Sequence, residues 1–216
     1  MLRIISDVHS NVDKYVQISK QANYSFQLGD MFYRPHELNK LCSDQHKIGQ
    51  GNHNDMNLIE RMPYFIGRYG MKSLGGVDFF WVGGAFSVDL HWRLMEYLHG
   101  GPKTWWEREQ LNFEEMLDCY EQYCDYKPNV VITHTCPTTI SNMMFGTSDL
   151  KRFGFEPNEF FCHTASLLDR MWRQHKPDFH YMGHFHRSKE LRVHGTLFKC
   201  LAELEYIDIN EKGEPV

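Results

Sequence analysis

The chain has 216 residues, 42% of them hydrophobic and 24% charged, a balance that excludes a disordered or fibrous chain and suffices for one buried core. Its net charge of -5 offers no general attraction to nucleic acid or to an anionic membrane, and no apolar run approaches the roughly 20 residues of a spanning helix. Six cysteines without a CxxC pair, and an N-terminus that enters an apolar segment with no signal peptide, point to a reducing cytoplasm.

Residues 2–6 read as a short buried strand that stops at Asp7-Val8-His9-Ser10-Asn11. Over 11–23, Val12, Tyr15, Val16, Ile18 and Ala22 recur at helical spacing behind an Asn cap. A second strand, 24–28, ends at Gly29-Asp30, and a third, 47–50, ends at Gly51-Asn52-His53-Asn54. A strand followed by a polar loop, repeated in this way, predicts an α/β domain. Gly75-Gly76 between the apolar stretches 71–74 and 77–82 predicts a hairpin. Residues 89–127 then change character. They carry Trp92, Trp105 and Trp106, expected to pack rather than to stack on a base, and a helix-prone stretch over 107–126, and they read as an inserted cap. The strand 129–133 releases His134. Residues 138–161 show no periodicity and read as a second inserted loop. A helix over 163–175 is closed by Pro177, the strand 178–182 ends at Gly183-His184-Phe185-His186, and further strands fill 191–209.

The loops thus supply, in order, Asp7-x-His9, Gly29-Asp30, Gly51-Asn52-His53, His134 and Gly183-His184-x-His186. Each fragment alone is weak, since Asx residues after strands commonly cap and turn. All five follow predicted strands, however, and an α/β sheet gathers its ligands at one edge. Oxygen and imidazole donors without thiolate suit Mn, Fe, Zn or Ni rather than a structural zinc site. The other eight histidines are expected to be structural or solvated.

In these motifs the sequence is similar to the calcineurin-like metallophosphoesterase superfamily, whose set is DxH, GDxx(D)R, GNH(D/E), a lone His and GHxH. The segment 83–89 resembles small bacterial and phage members. The resemblance implies one domain over 1–216, a four-layer α/β/β/α sandwich with mixed sheets, with the inserted segments 89–127 and 138–161. It implies two divalent metal ions, Mn foremost, with Asp7, His9 and His186 on the first, Asn52, His134 and His184 on the second, and Asp30 bridging. Water activated between them would attack phosphorus in line. His53 would protonate the leaving oxygen, and Arg34, at the arginine position of the second motif, would clamp phosphate. Two acids of the motifs are replaced, by Tyr33 and Asn54, which bears on how His53 is oriented; Asp55 stands one position away as a substitute.

The implied activity is hydrolysis of phosphate monoesters or diesters, with small or nucleotide-like substrates as partners and with neither a membrane nor a nucleic-acid signature. A Ser/Thr-type protein phosphatase is the alternative, weakened by the two replaced acids. A non-enzymatic scaffold on the same fold is third, and the retained His53 and ligand set argue against it.

Overall fold

The computed structural model describes residues 1–31, 38–147, 150–151, 153–156 and 161–216. Strands β1 (Leu2–Ile5), β2 (Ser25–Gln27) and β3 (His46–Ile48) run parallel, and β10 (Tyr206–Ile209) closes the free side of β1 antiparallel, giving the order β10-β1-β2-β3. The second sheet has the order β4-β5-β6-β7-β9-β8. Its centre is parallel, from β5 (Val77–Val82) through β6 (Val130–Thr133) and β7 (Phe179–Met182) to β9 (Thr196–Cys200). Its edges, β4 (Tyr69–Leu74) and β8 (Lys189–Val193), are antiparallel.

Side chains alternate across a strand, so each buried strand feeds two cores. Ile4 joins Phe26, Phe79, Trp81, Ile132 and Tyr181 between the sheets, whereas Ile5 faces outward. Phe79 and Trp81 point inward, while Phe80 and Val82 face the helices on the other side. Phe26 meets the indole of Trp81 edge-on, with centroids 4.8 Å apart.

Helix α1 (Val12–Lys20) covers the first sheet with Val12, Tyr15 and Val16. On the outer face of the second sheet lie α4 (Phe113–Tyr126), through Cys119 and Tyr123, and α6 (His163–Gln174), through Leu167, Leu168 and Met171. The layers are therefore helix, sheet, sheet, helix, with both sheets mixed, as the sequence led us to expect. Among the described residues no helix is long and apolar enough to cross a membrane.

Several elements differ from expectation. The helix placed over 107–126 starts only at Phe113, because Asn112 and Glu115 form a capping box: the Asn112 side chain accepts from the Glu115 N–H at 2.9 Å and the Glu115 carboxylate accepts from the Asn112 N–H at 2.8 Å. Within 138–161, α5 (Thr138–Phe145) forms despite its Thr, Ser and Asn content, since Ile140 and Met144, one turn apart, bury against Phe198 and Met182. Before it, α2 (Met56–Ile59) and α3 (Leu90–Leu98) are short surface helices. No residue of α3 is buried, and Trp92, expected to pack, is 58% exposed.

Candidate metal centre

Strands β1, β2 and β3 of one sheet and β6 and β7 of the other each end in a loop that carries part of the expected set. His9, Asp30, His184 and His186 take φ values of 40, 56, 71 and 53°, in the left-handed region. A non-glycine residue held there costs of order 1 kcal/mol or more, and the cost persists where surrounding structure enforces it. Such a residue just beyond a strand turns the chain sharply and keeps its side chain over the strand ends. The glycines of two motifs are steric requirements. A Cβ on Gly51 would overlap the backbone and carboxylate of Asp30, and one on Gly183 would collide with the Asp7 carboxylate.

The side chains form two groups. Ligand atoms of Asp7, His9 and His186 all lie within 4.8 Å of one another, and so do those of Asp30, His134 and His184. Asn52 adjoins the second group, its Oδ1 3.0 Å from His134 Nε2. Asp30 stands between the groups, with Oδ2 3.5 Å from His134 Nε2 and 3.9 Å from His9 Nε2. His9 and His186 bring their Nε2 atoms to 2.7 Å, and His53 Nε2 lies 4.0 Å from Asp30 Oδ2. Seven residues expected as ligands, and His53, are thus gathered in one place. Arg34 and Tyr33 lie outside the described residues.

The fixings behind these atoms leave acceptors pointing inward. Asp7 Oδ2 accepts from the Ser6 hydroxyl at 2.5 Å and from the His184 N–H at 2.9 Å, while Oδ1 is buried with no hydrogen-bond partner among the described residues. His134 donates Nδ1–H to the Leu28 carbonyl at 2.9 Å, so in the neutral ring Nε2 carries the lone pair. The Asn52 amide is oriented by a relay: Nδ2 donates to Ser87 Oγ at 2.9 Å and the Ser87 hydroxyl donates to Glu109 Oε2 at 2.6 Å. Asn52 Oδ1 therefore faces His134 Nε2 across 3.0 Å, acceptor against acceptor. A buried cluster of lone pairs with no proton to share fits a cation.

Charge follows the same logic. Burial, then the neighbouring Asp7 carboxylate, pushes Asp30 up to about 7. Burial, reinforced by the Arg93 guanidinium, lowers His53 to about 2, and burial with the adjacent His134 lowers His184 to about 3. Burial also lowers His134. At Asp7, burial is outweighed by the surrounding imidazoles, His134 first, and by the Ser6 hydroxyl, so its carboxyl falls below the usual range. Neutral His134 and His184 beside an ionised Asp7 are the protonation states that a divalent metal requires, and Asp30 would give up its proton as the metal binds.

Three residues of the site lie outside the motifs, and a fourth, Asn54, takes a part that its motif did not suggest. Ser87 and Glu109 orient Asn52. Arg93, on α3, places Nη2 3.4 Å from His53 Nε2 and 2.7 Å from Asp89 Oδ2. Asn54, in place of the expected acid, accepts from the N–H groups of Asp30 at 3.0 Å and Gly51 at 2.6 Å, tying the β2 and β3 loops together. Asp55 does not substitute for that acid, because its carboxylate caps α2 by accepting from the Asn57 N–H at 3.0 Å. The Asp89 and Arg93 pair had one sequence signal, its i,i+4 spacing on a helix, which marks an ion pair rather than a site. Outside the cluster, His46 and His180 hydrogen-bond to Ser25 and Thr133.

No protein-family model and no curated protein matches the sequence. Among solved structures, the chain is similar to a putative 5'-nucleotidase from Staphylococcus aureus, with 12% identity and a TM-score of 0.49 over 99% of this chain and 52% of that one. It is also similar to the phosphopantetheinyl hydrolase of Mycobacterium tuberculosis, with 12% identity and a TM-score of 0.44 over 94% of this chain and 89% of that one. A predicted phosphoesterase from Streptococcus pneumoniae follows, with 13% identity and a TM-score of 0.34 over 93% and 72%. At these identities the likenesses carry no residue role to this chain.

Proposed function

We propose that the chain is a metal-dependent hydrolase of phosphate esters, working through two divalent cations with Mn as the working metal. The observation that carries this reading is the pair of groups, Asp7, His9 and His186 beside Asp30, His134 and His184, with Asp30 Oδ2 between them and acceptor lone pairs converging. Asp7, His9 and His186 would hold one cation, Asn52, His134 and His184 the other, and Asp30 both. When bound, two such cations neutralise phosphoryl oxygens and lower the pKa of water for in-line attack.

The protein's own groups do the rest. Glu109 and Ser87 keep the Asn52 oxygen aimed inward, and the backbone N–H groups on Asp7 and Asp30 fix which carboxylate oxygen faces the cluster. His53 is neutral at rest and stands beside the cluster, where it would take a proton from solvent and pass it to the leaving oxygen. Arg34 keeps the clamp role suggested by its motif. We read the chain as one domain in which 89–127 and 138–161 shape the approach to the cluster, and six cysteines without a disulfide support a reducing compartment.

The test is hydrolysis of p-nitrophenyl phosphate and bis-p-nitrophenyl phosphate by Mn-loaded protein. At least one is turned over, and Asp30→Asn lowers kcat/KM by about 10³-fold or more, since several kcal/mol of charge stabilisation is lost. Metal-loaded protein that hydrolyses neither ester overturns the proposal.

A further inference from the structure

Beside the cluster opens a cavity of about 560 Å³, bounded on one side by His9, Asp30, Asn52, His53, His184 and His186. Much of its remaining wall is hydrocarbon. Phe86, Val88, Phe145, Leu150, Phe153 and Phe185 contribute to it, with Phe145 stacked on Phe185 at 4.5 Å between centroids. Among the described lining residues the cations are two arginines, Arg93 and Arg187, and there is no lysine. Thr135, Thr138, Ser141 and Asn142 add polar groups to the same wall, and the hydrocarbon side offers a surface for an apolar leaving group.

Arg93 is placed for one phosphoryl group. Its side chain is 13% exposed, Asp89 holds Nη2 at 2.7 Å, and Nη1 donates to the Thr104 carbonyl at 3.3 Å. The guanidinium borders the cavity beside His53, and its Nε–H has no acceptor among the described residues. A cation so placed suits an anionic oxygen in the cavity. If two non-bridging oxygens of a phosphate are engaged by the cluster, a monoester still offers a third, whereas in a diester that oxygen is esterified.

Resting on the reading of the site as a phosphoesterase, we infer that its substrate class is the phosphate monoester of an apolar, ring-sized alcohol, with Arg93 binding the third phosphoryl oxygen and the aromatic wall binding the leaving group. Water adds to phosphorus, the P–O bond to the alcohol breaks, and the alkoxide takes a proton, giving inorganic phosphate and the free alcohol.

Two measurements on the Mn-loaded full chain decide this. In the first, kcat/KM is compared for methyl, butyl, hexyl and benzyl phosphates, whose leaving alcohols have similar acidity, and for glycerol 3-phosphate and glucose 6-phosphate. It rises by roughly threefold per buried methylene, and the two polyol esters fall below hexyl phosphate. Phe153→Ser flattens the series. In the second, Arg93→Ala lowers kcat/KM for p-nitrophenyl phosphate by about 10- to 100-fold, as loss of a hydrogen bond to a charged group does, and lowers it for bis-p-nitrophenyl phosphate by a clearly smaller factor, the part that comes through His53. Arg93→Lys recovers part of the loss, and calorimetry with benzylphosphonate shows the same order of affinities without turnover. Turnover of esters with a flat size series, or an equal Arg93→Ala loss on monoester and diester, overturns this inference and leaves the phosphoesterase reading standing. No turnover of any ester overturns both.

Discussion

The two halves of the cluster sit at different depths. In one, Asp30 and His134 are shut from solvent and Asn52 is tied through Ser87 to the buried carboxylate of Glu109. In the other, Asp7 is equally buried, but His186 leaves 45% of its side chain exposed and His9 leaves 20%. The enclosed half is the more tightly held, since Asp30, His134 and Asn52 each have a hydrogen-bond partner that fixes their direction. The open half is the one that solvent reaches. A cluster divided in this way places its structural cost on one side and its solvent contact on the other.

The largest expected effect is the acid sensitivity of the buried imidazoles, His184 of the enclosed half among them. In the unfolded chain a histidine titrates near 6.5, whereas in the folded, metal-free protein burial holds His53 near 2 and His180 and His184 near 3. Below 6.5 the unfolded state therefore binds protons that the folded state refuses, and these three groups remove stability as pH falls. Asp30 acts in the opposite sense, because its folded pKa of about 7 lets the native state hold a proton that an unfolded aspartate releases down to about 4. His134, which burial also lowers, adds to the loss, so the unfolded state takes up more protons than the folded one. The metal-free protein should lose stability steeply, of order a few kcal/mol per pH unit, between about pH 6 and 4. Urea midpoints in that window measure the slope, and His184→Gln, in the enclosed half, should cut it by about one proton. A flat profile would show that the enclosed half accepts protons freely.

The relay behind Asn52 gives a smaller and more local break. Glu109→Gln removes the carboxylate that fixes the Ser87 hydroxyl, and the Asn52 amide loses its preferred orientation. Removing a partner that orients a metal ligand costs about 10- to 100-fold in metal affinity. The loss should appear in one of two binding steps in a Mn titration, while the step belonging to Asp7, His9 and His186 is unchanged. Equal weakening of both steps would mean that the halves are not independent.

What could be read from the sequence follows the same division. Both groups of side chains were legible wherever a residue sits directly beyond a strand, because short apolar runs ending in Asp-x-His, Gly-Asp, Gly-Asn-His or Gly-His-x-His mark a strand and the polar loop after it together. Those runs predicted an α/β domain, and the four-layer sandwich followed from the family resemblance that the motifs carry. Ser87, Glu109 and Arg93 were not, since they come from a loop, an irregular segment and a surface helix, and only the tertiary structure brings them to Asn52 and His53. Helix α5 was missed because two buried contacts, Ile140 and Met144, outweigh a run of poor helix formers. Asn54 looked like the loss of an acid. Its amide oxygen instead accepts two backbone N–H groups, so the substitution keeps the loop junction and removes only the charge.

The smallest effect checks that the relay is local. Glu109 precedes α4 by a few residues, so a damaged helix start could mimic a damaged relay. Asn112→Ala removes the cap of α4 and should cost about 1 kcal/mol of stability, the usual value for an N-cap. The segment that holds Glu109 has other fixings. Arg68 donates to the carbonyls of Arg108 and Gln110 and pairs with Glu115 at 2.6 Å, and Gln50 Nε2 donates to the carbonyls of Arg108 and Glu109. With these intact, Asn112→Ala should lower the urea midpoint and leave both Mn steps where they were. If it weakens the Asn52 step as much as Glu109→Gln does, the enclosed half depends on how α4 docks against the second sheet rather than on the Glu109–Ser87–Asn52 relay, and its rigidity is a property of the fold as a whole.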